Sequence, residues 1–196
     1  MNPPKKYHDW ERIFVDTCTI LDYLRALNKV SIDPKAVFAK RVIDDLTTTF
    51  VHNNPKKRRT IVVSAISISE IVTITSDVEL KNKILTVFNA SDVDIVPWSR
   101  AVAVYSNIFC QGYLSKKQLN ILADDTLPSI DNKVLAREYL LKDYMLITSA
   151  SFYKCDVILT GDGKTFVPVA DILQFPCIEL SEDKFSFNDT YIFGLK

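Results

Sequence analysis

Residues 12–21, RIFVDTCTIL, carry the pattern that decides the fold. The first five residues form a short run rich in Ile, Phe and Val, which predicts a buried strand ending at Asp16. Thr17 is placed to cap the helix that follows, and apolar residues then recur at helical spacing as far as Leu27. The stretch therefore predicts a strand that leads directly into an amphipathic helix.

The same alternation of short strands and helices continues along the chain. Further strands are predicted at residues 61–63, 93–97, 156–160 and 177–180, and further helices from Pro34, from Ser67, and over 78–88, 99–113 and 133–153. The polar segments 52–60 (HNNPKKRRT) and 115–132 are predicted to be a basic loop and an irregular insertion. The predicted fold is a three-layer α/β/α sandwich around a central, mainly parallel sheet of about five strands, because strands that alternate with helices favour a sheet covered on both faces.

The bulk composition is ordinary for a globular chain. The 196 residues suit a single domain, and 24 basic against 24 acidic side chains give no overall charge that indicates a nucleic-acid partner. A balanced total still allows a local basic strip beside an acidic pocket. The N-terminal residues lack the pattern of a signal peptide and no apolar stretch is long enough to span a bilayer, so we expect a cytoplasmic protein with no membrane partner.

The cysteines do not form a recognisable metal or disulfide motif. They are Cys18, Cys110, Cys155 and Cys177, with no close pair and no histidine nearby at zinc spacing. Scattered cysteines of this kind indicate reduced thiols that pack as small apolar side chains.

Four acidic residues fall where a parallel sheet of this kind binds ligands, beyond the carboxyl ends of its strands. Asp16 ends the first strand, and Asp162 follows the strand at 156–160 by two residues. Glu70 lies just past the second strand, in the first turn of its predicted helix, and Asp143 lies in the long helix before the fourth strand. Each acid alone is explained by a turn or a helix start. Together, converging carboxylates repel one another and need a cation, and all-oxygen sites suit Mg²⁺ or Mn²⁺.

Three stretches around these acids resemble, in order, the motifs of the PIN-domain nucleases. Residues 15–21 (VDTCTIL) resemble the first motif, and residues 64–71 (SAISISEI), with a glutamate six residues after the serine, resemble the second. Residues 143–162 (DYMLITSASFYKCDVILTGD) resemble the third and fourth motifs together. The resemblance covers about residues 12–167 and is closest to the toxin-type PIN ribonucleases.

The resemblance implies both a chemistry and a set of residues. By motif, Asp16, Glu70, Asp143 and Asp162 are the catalytic metal ligands, and the family implies endonucleolytic cleavage of RNA, in many members as the toxin of a toxin–antitoxin pair. One or two Mg²⁺ or Mn²⁺ ions, roughly 3.5–4 Å apart if two, would activate a water for in-line attack and neutralise charge on the phosphate. A hydroxide nucleophile would leave a 5′-phosphate and a 3′-hydroxyl.

Thr17 and Thr160 are predicted to support this site. Thr160 could hold a metal-bound water or orient Asp162, and the alternative is an ordinary threonine at a strand end. After Asp162 the chain continues with Gly163 and Lys164, where many relatives offer a further polar or acidic ligand. That departure weakens the case for a second metal.

The chain is also longer than a minimal member of the family. We expect one PIN-like domain over residues 1–196, with a core of about 12–180, insertions near 28–60 and 114–132, and a C-terminal tail at 181–196. The aromatic residues of the tail fall at odd-numbered positions, which suggests an edge strand. They are Phe185, Phe187, Tyr191 and Phe193.

One dense basic cluster consists of Lys56, Lys57, Arg58 and Arg59. Its functional interpretation is a patch that contacts nucleic-acid phosphates and flanks the acidic pocket, and its alternative is a solvated loop.

Two hypotheses from different classes follow. The first is a metal-dependent endoribonuclease with an RNA substrate, single-stranded or structured, and with an antitoxin protein or a second copy of the chain as further partners. The second is a PIN-like binding module with little or no catalysis. The presence of all four acids favours the enzyme, whereas no residue identifies a contact to the 2′-hydroxyl that separates RNA from DNA.

Overall fold

The centre of the computed structural model is a five-stranded, wholly parallel sheet in the order β5–β4–β1–β6–β7. The structure describes residues 5–27, 33–51, 54–75, 78, 81–82, 86–87, 92–109, 116–128, 130, 132–183 and 185, with backbone alone at 54–56, 116–117 and 133. The strands are β1 (Arg12–Val15), β2 (Phe50–Val51), β3 (Asn54–Arg58), β4 (Thr60–Ser64), β5 (Val93–Val96), β6 (Val157–Thr160) and β7 (Cys177–Glu179). Strands β2 and β3 form a separate antiparallel pair.

Helices alternate with the strands, as the sequence predicts. Within the described residues the α-helices longer than one turn are α1 (Thr17–Leu27), α2 (Pro34–Thr48), α3 (Ala65–Ile74), α4 (Arg100–Phe109), α5 (Lys116–Thr126), α6 (Lys133–Phe152) and α7 (Phe166–Ile172). A short 3₁₀ turn, Tyr7–Asp9, precedes β1. Of the predicted helix at 78–88, residues 78, 81, 82, 86 and 87 are helical, and the rest lie outside the described residues.

The central strand β1 places side chains on both faces of the sheet because successive residues of a strand point in opposite directions. Ile13 and Val15 pack with α1 and α2, whereas Phe14 packs with residues of α6 and α7 on the other face. In register, Ile13 lies opposite Ile61 of β4 and Val157 of β6. Ile13, Phe14 and Val15 are each at most 1% exposed, so this part of the strand is buried from both sides. The predicted three-layer α/β/α fold is confirmed.

The segment at 52–60 is not a loop, as the sequence suggested, but contains most of a β-hairpin. Phe50 lies opposite Arg58, and Val51 opposite Asn54, in an antiparallel pair. Val51 is 3% exposed and Arg59 is 2% exposed. The apolar residue and the buried arginine anchor the hairpin to the domain, which the local run of charges concealed.

The predicted irregular insertion at 115–132 contains a helix, α5. Leu119, Leu122 and Ala123 recur at helical spacing and belong to the apolar core that α6 also enters. The prediction of irregular structure was wrong because the polar residues between them dominate the local composition.

Helix α3 begins earlier than predicted. The side chain of Ser64, not that of Ser67, accepts a hydrogen bond from the helix N-terminus, from Ile66 N at 3.1 Å. Glu70 therefore lies in the second turn of α3 and not in its first.

Most of the tail lies outside the described residues, including Phe187, Tyr191 and Phe193. Phe185 is buried and packs edge to face against Tyr7 and Phe38, with ring centroids 5.7 and 5.9 Å away. In the part of the chain that the structure describes, Cys18, Cys155 and Cys177 are free thiols, and Cys110 lies outside it. No helix among the described segments is long and apolar enough to cross a bilayer.

Candidate active site

A cavity of about 550 Å³ opens at the carboxyl ends of the parallel strands, and all four predicted acids line it. Asp16 follows β1, Asp162 follows β6, Glu70 comes from α3 and Asp143 from α6. Four separate segments of the chain therefore bring one carboxylate each to the edge where parallel α/β sheets bind ligands. The structure brings these residues together, and their chemical roles stay predictions.

Asp16 is the most buried of the four, at 3% exposure. Its Oδ1 accepts a hydrogen bond from Thr19 N at 2.9 Å, so Asp16 caps α1 in place of Thr17, which the sequence favoured for that role. The Thr160 hydroxyl donates to Oδ2, and Cys18 Sγ donates to Oδ1 at 3.0 Å. Burial raises the pKa of Asp16, and these hydrogen bonds oppose that rise. The donors hold the carboxylate in one orientation.

Glu70 is engaged at both carboxylate oxygens. The Thr17 hydroxyl donates to Oε2 at 2.8 Å, and Lys142 Nζ lies 3.0 Å from Oε1. Thr17 thus contacts Glu70 and does not cap α1, and its supporting role in the site stays a prediction. Lys142 supplies a positive charge directly against one of the four acids.

Asp162 sits in the turn between β6 and α7. Its Oδ1 accepts from Lys164 N at 2.8 Å and from Thr165 N at 2.9 Å, and the Thr165 hydroxyl donates to Oδ2. The Asp162 N–H donates to Thr160 Oγ1 at 2.9 Å. Thr160 therefore links the backbone of Asp162 to the side chain of Asp16.

Asp143 shows the electrostatic effect of this convergence. Burial, followed by the negative charges of Asp162, Asp16 and Glu70, raises the pKa of Asp143 from 3.8 to about 8, and a hydrogen bond from Thr165 partly opposes the rise. The pKa of Asp143 thus reports the negative charges of the other three carboxylates, and a cation bound among them would lower it.

The donor set fits a hard divalent cation, because its ligands are carboxylate oxygens. Among the described residues, however, no three His, Cys, Asp or Glu side chains lie close enough together to hold a metal ion as they stand. Lys142 also occupies one oxygen of Glu70. Binding a metal would therefore require the carboxylates to draw together and Lys142 to move away from Glu70.

Gly163, the residue after Asp162, leaves room for a further carboxylate beside the turn. A Cβ atom at position 163 would lie 1.8 Å from Glu179 Oε2, so the carboxylate of Glu179 fills the space that a side chain there would need. Glu179 ends β7 and had no assigned role in the sequence. Gly163 makes this approach of a fifth acid to the Asp162 turn sterically allowed.

Several cavity residues had no site role assigned from the sequence: Cys18, Tyr139, Lys142 and Thr165. A partial signal existed for Tyr139, because it precedes Asp143 by four residues on one helix, a spacing that places two side chains next to each other. Cys18 Sγ accepts a hydrogen bond from Gly161 N at 3.0 Å, a contact between segments that only the folded chain brings together.

The basic cluster does not flank the cavity. It precedes β4, whereas the acids follow the carboxyl ends of the strands, so the two lie at opposite edges of the sheet, about 13 Å of strand apart. Lys57 pairs with Glu11 and Arg58 with Asp92, and both side chains are exposed. Arg59 is buried and donates to Trp10 O and Tyr7 O, each at 3.3 Å. The prediction of a patch beside the acidic pocket was wrong in its placement, and the side chain of Lys56 lies outside the described residues.

Comparisons with known proteins support the fold alone. No family model matches the chain, and no curated protein matches its sequence. Solved structures do match, among them a crystal structure of VapBC2 from Rickettsia felis bound to a DNA fragment from their promoter. That match has a TM-score of 0.50 at 16% identity and covers 87% of this chain and 99% of the other. At this identity the likeness shows a shared PIN-like α/β/α fold.

Proposed function

We propose that this protein is a metal-dependent endoribonuclease that hydrolyses phosphodiester bonds at the four-acid cavity with Mg²⁺ or Mn²⁺. The observation that carries the proposal is the convergence of Asp16, Glu70, Asp143 and Asp162 on one cavity at the ligand-binding edge of a parallel sheet. The PIN-like fold and the ordered motifs support the same reaction class.

The chain's own residues divide the work. Asp16, oriented by its hydrogen bonds, would be the fixed ligand, and Asp162 is held in place by the turn that leads into α7. Glu70 would hold the cation once released from Lys142, and Asp143 would hold it in its deprotonated form. When bound, the divalent ion supplies activation of water and neutralisation of the charge on the phosphate.

The test is cleavage of a labelled single-stranded RNA in Mn²⁺. We expect wild type to cut, and Asp16→Asn and Asp143→Asn to lose about a hundredfold or more in rate, because loss of a ligand should cost at least as much as loss of its supporting contacts. Asp124→Asn is the matched control, since Asp124 is exposed on α5 and does not line the cavity. If wild type cleaves no faster than both cavity variants across several RNAs, the proposal is wrong.

The toxin role is a further part of the proposal, supported by the motif resemblance and by the fold shared with the VapBC2 structure. Expression of the chain should arrest growth, Asp16→Asn should abolish the arrest, and the product of a neighbouring gene should relieve it. Growth arrest by Asp16→Asn as strong as that by wild type would contradict a nucleolytic toxin.

A binding module with little catalysis is the second candidate. The ion pair between Lys142 and Glu70 favours it, because a lysine already neutralises one of the four acids. Metal titration separates the two candidates: the module predicts no binding of Mn²⁺ that depends on Asp16.

A further inference from the structure

The rim of the acidic cavity differs in character from its floor. Helix α6 presents Tyr139, Lys142 and Asp143 to the cavity, and Tyr139 precedes the other two by three and four residues, spacings that place it next to each on the helix surface. Tyr139 is 48% exposed, and the Lys142 side chain is 53% exposed. Lys142 Nζ lies 6.0 Å from the centroid of the Tyr139 ring. An aromatic ring and a cation thus stand together at the entrance to the carboxylates.

An apolar wall completes this rim. Ile74, at the end of α3, is 69% exposed and lines the same cavity, as do Leu127 and Ile130 beyond α5. Exposed apolar and aromatic groups grouped at the mouth of a charged cavity indicate a binding surface. Flat, weakly polar groups such as nucleobases bind well to surfaces of this composition.

The charge at the rim is matched to a phosphate. Among the described residues that line the cavity, Lys142 is the only basic one. Its partner Glu70 holds it through a half-exposed ion pair, which is weak and allows the long lysine side chain to move to another anion. A nucleic-acid backbone entering the cavity therefore meets a positive charge next to the ring of Tyr139.

We propose that Tyr139 and Lys142 grip one unpaired nucleotide at the rim, with the base stacked on the tyrosine ring and its phosphate against the lysine ammonium. The proposal rests on the proposed nuclease function and adds the residues that hold an unpaired nucleotide at the rim of the cavity. In a duplex the base faces are stacked inside the helix, so a ring at a cavity mouth cannot reach them. RNA and single-stranded DNA share this chemistry.

The experiment measures binding of short oligonucleotides that carry the fluorescent base 2-aminopurine, as RNA and as DNA, in Ca²⁺ so that binding can be followed without rapid cleavage. Wild type and Tyr139→Phe should bind and quench the fluorescence of a single-stranded probe, whereas Tyr139→Leu should bind about tenfold more weakly without that quenching. Lys142→Met should weaken binding evenly across sequences and lower the salt dependence by about 0.7 in the logarithmic slope, the value for one phosphate contact. The duplex form of the probe should bind wild type and Tyr139→Leu equally.

Matched controls separate the rim from the rest of the surface. Leu141→Ala changes an exposed apolar residue of the same helix that does not line the cavity, and Lys40→Met removes a half-buried lysine that is paired with Asp44 on α2. Both should bind as wild type does. Equal binding of the single-stranded probe by wild type and Tyr139→Leu, including no binding by either, overturns the proposal.

The outcomes also distinguish this proposal from the proposed function. If wild type cleaves RNA in Mn²⁺ but its probe binding does not depend on Tyr139, the proposed nuclease function is supported and the proposed nucleotide contact at Tyr139 is wrong. Probe binding that depends on Tyr139, in a protein without Mn²⁺-dependent cleavage, leaves the grip standing and removes the nuclease.

Discussion

Asp143 carries the clearest electrostatic mark of the candidate site. Burial raises its pKa first, and the charges of Asp162, Asp16 and Glu70 add to the effect, so the group titrates at about 8 rather than near 4. Lys142, its neighbour in sequence, is committed to Glu70. Without a bound cation, Asp143 therefore keeps a proton at neutral pH that it would lose in an unfolded chain.

This shift has a consequence for stability. Between about pH 4, the unfolded pKa, and about pH 8, the folded pKa, the folded state binds a proton that the unfolded state has lost, so the free energy of unfolding falls as pH rises, by at most about 1.4 kcal/mol per unit for one group. Thermal melts in EDTA should give a lower Tm at pH 8 than at pH 5. Asp143→Asn should reduce that slope and melt above wild type at pH 8. Parallel slopes for wild type and Asp143→Asn would contradict the shift.

Because Lys142 pairs with Glu70, we expect its removal to strengthen metal binding and to weaken nucleic-acid binding. Removing it frees an oxygen of Glu70, so Lys142→Met should bind Mn²⁺ about two- to fivefold more tightly, the range expected from losing a weak exposed ion pair. Calorimetric titration of Mn²⁺ measures this directly, with Lys40→Met as the control. Weaker Mn²⁺ binding by Lys142→Met would show that the lysine does not compete for the site.

At the level of elements, the β2–β3 hairpin is joined to the domain by Arg59. Its guanidinium donates to two backbone carbonyls, Trp10 O and Tyr7 O, and to the Thr49 hydroxyl, and it lies 5.0 Å from the Tyr7 ring. The residue stands in a basic run yet is 2% exposed. Its neighbours Lys57 and Arg58 carry the exposed charge of the hairpin.

Arg59→Met should therefore destabilise the fold by about 2–4 kcal/mol, because buried carbonyls lose charged donors. Urea unfolding measures the change, and Lys57→Met, at an exposed position, should stay within about 0.5 kcal/mol of wild type. A neutral effect of Arg59→Met on stability, together with weaker nucleic-acid binding, would restore the surface role that the sequence suggested for this residue.

The helices show how much of the secondary structure the local sequence pattern predicts. Helices α1, α2 and α6 follow predicted stretches closely, because their apolar residues recur at helical spacing over several turns. Helix α5 was missed because three apolar residues, Leu119, Leu122 and Ala123, are diluted by polar ones, and only their packing in the core shared with α6 reveals the pattern. The start of α3 was misplaced by one turn because both Ser64 and Ser67 are good capping residues and only the backbone geometry chooses between them.

At the scale of the whole molecule, a ligand that binds at the carboxyl ends of the strands should stabilise the folded state. A divalent ion bound by residues that follow β1, β4 and β6 would tie those segments together in the folded state alone. Mn²⁺ at about a hundred times its Kd should then raise stability by about 2.7 kcal/mol and the Tm by roughly 5–10 °C. Scanning calorimetry with Mn²⁺ and then EDTA measures the shift. Asp16→Asn should lose it and Asp124→Asn should keep it, and an equal shift in all three proteins would place the metal elsewhere.

The amino-acid sequence by itself determined the class of fold and the identity of the four converging acids. Strand and helix periodicities, and the rule that parallel sheets bind ligands beyond their carboxyl ends, depend on local order along the chain. Only the tertiary structure decided that Lys142 pairs with Glu70, that Thr160 joins Asp16 to Asp162, and that Arg59 is buried far from the cavity. Apart from the local bond between Asp162 N and Thr160, these contacts join residues from 10 to 144 positions apart. The partners in these contacts are set by the way the elements pack together. The residue pattern within one element does not specify that packing.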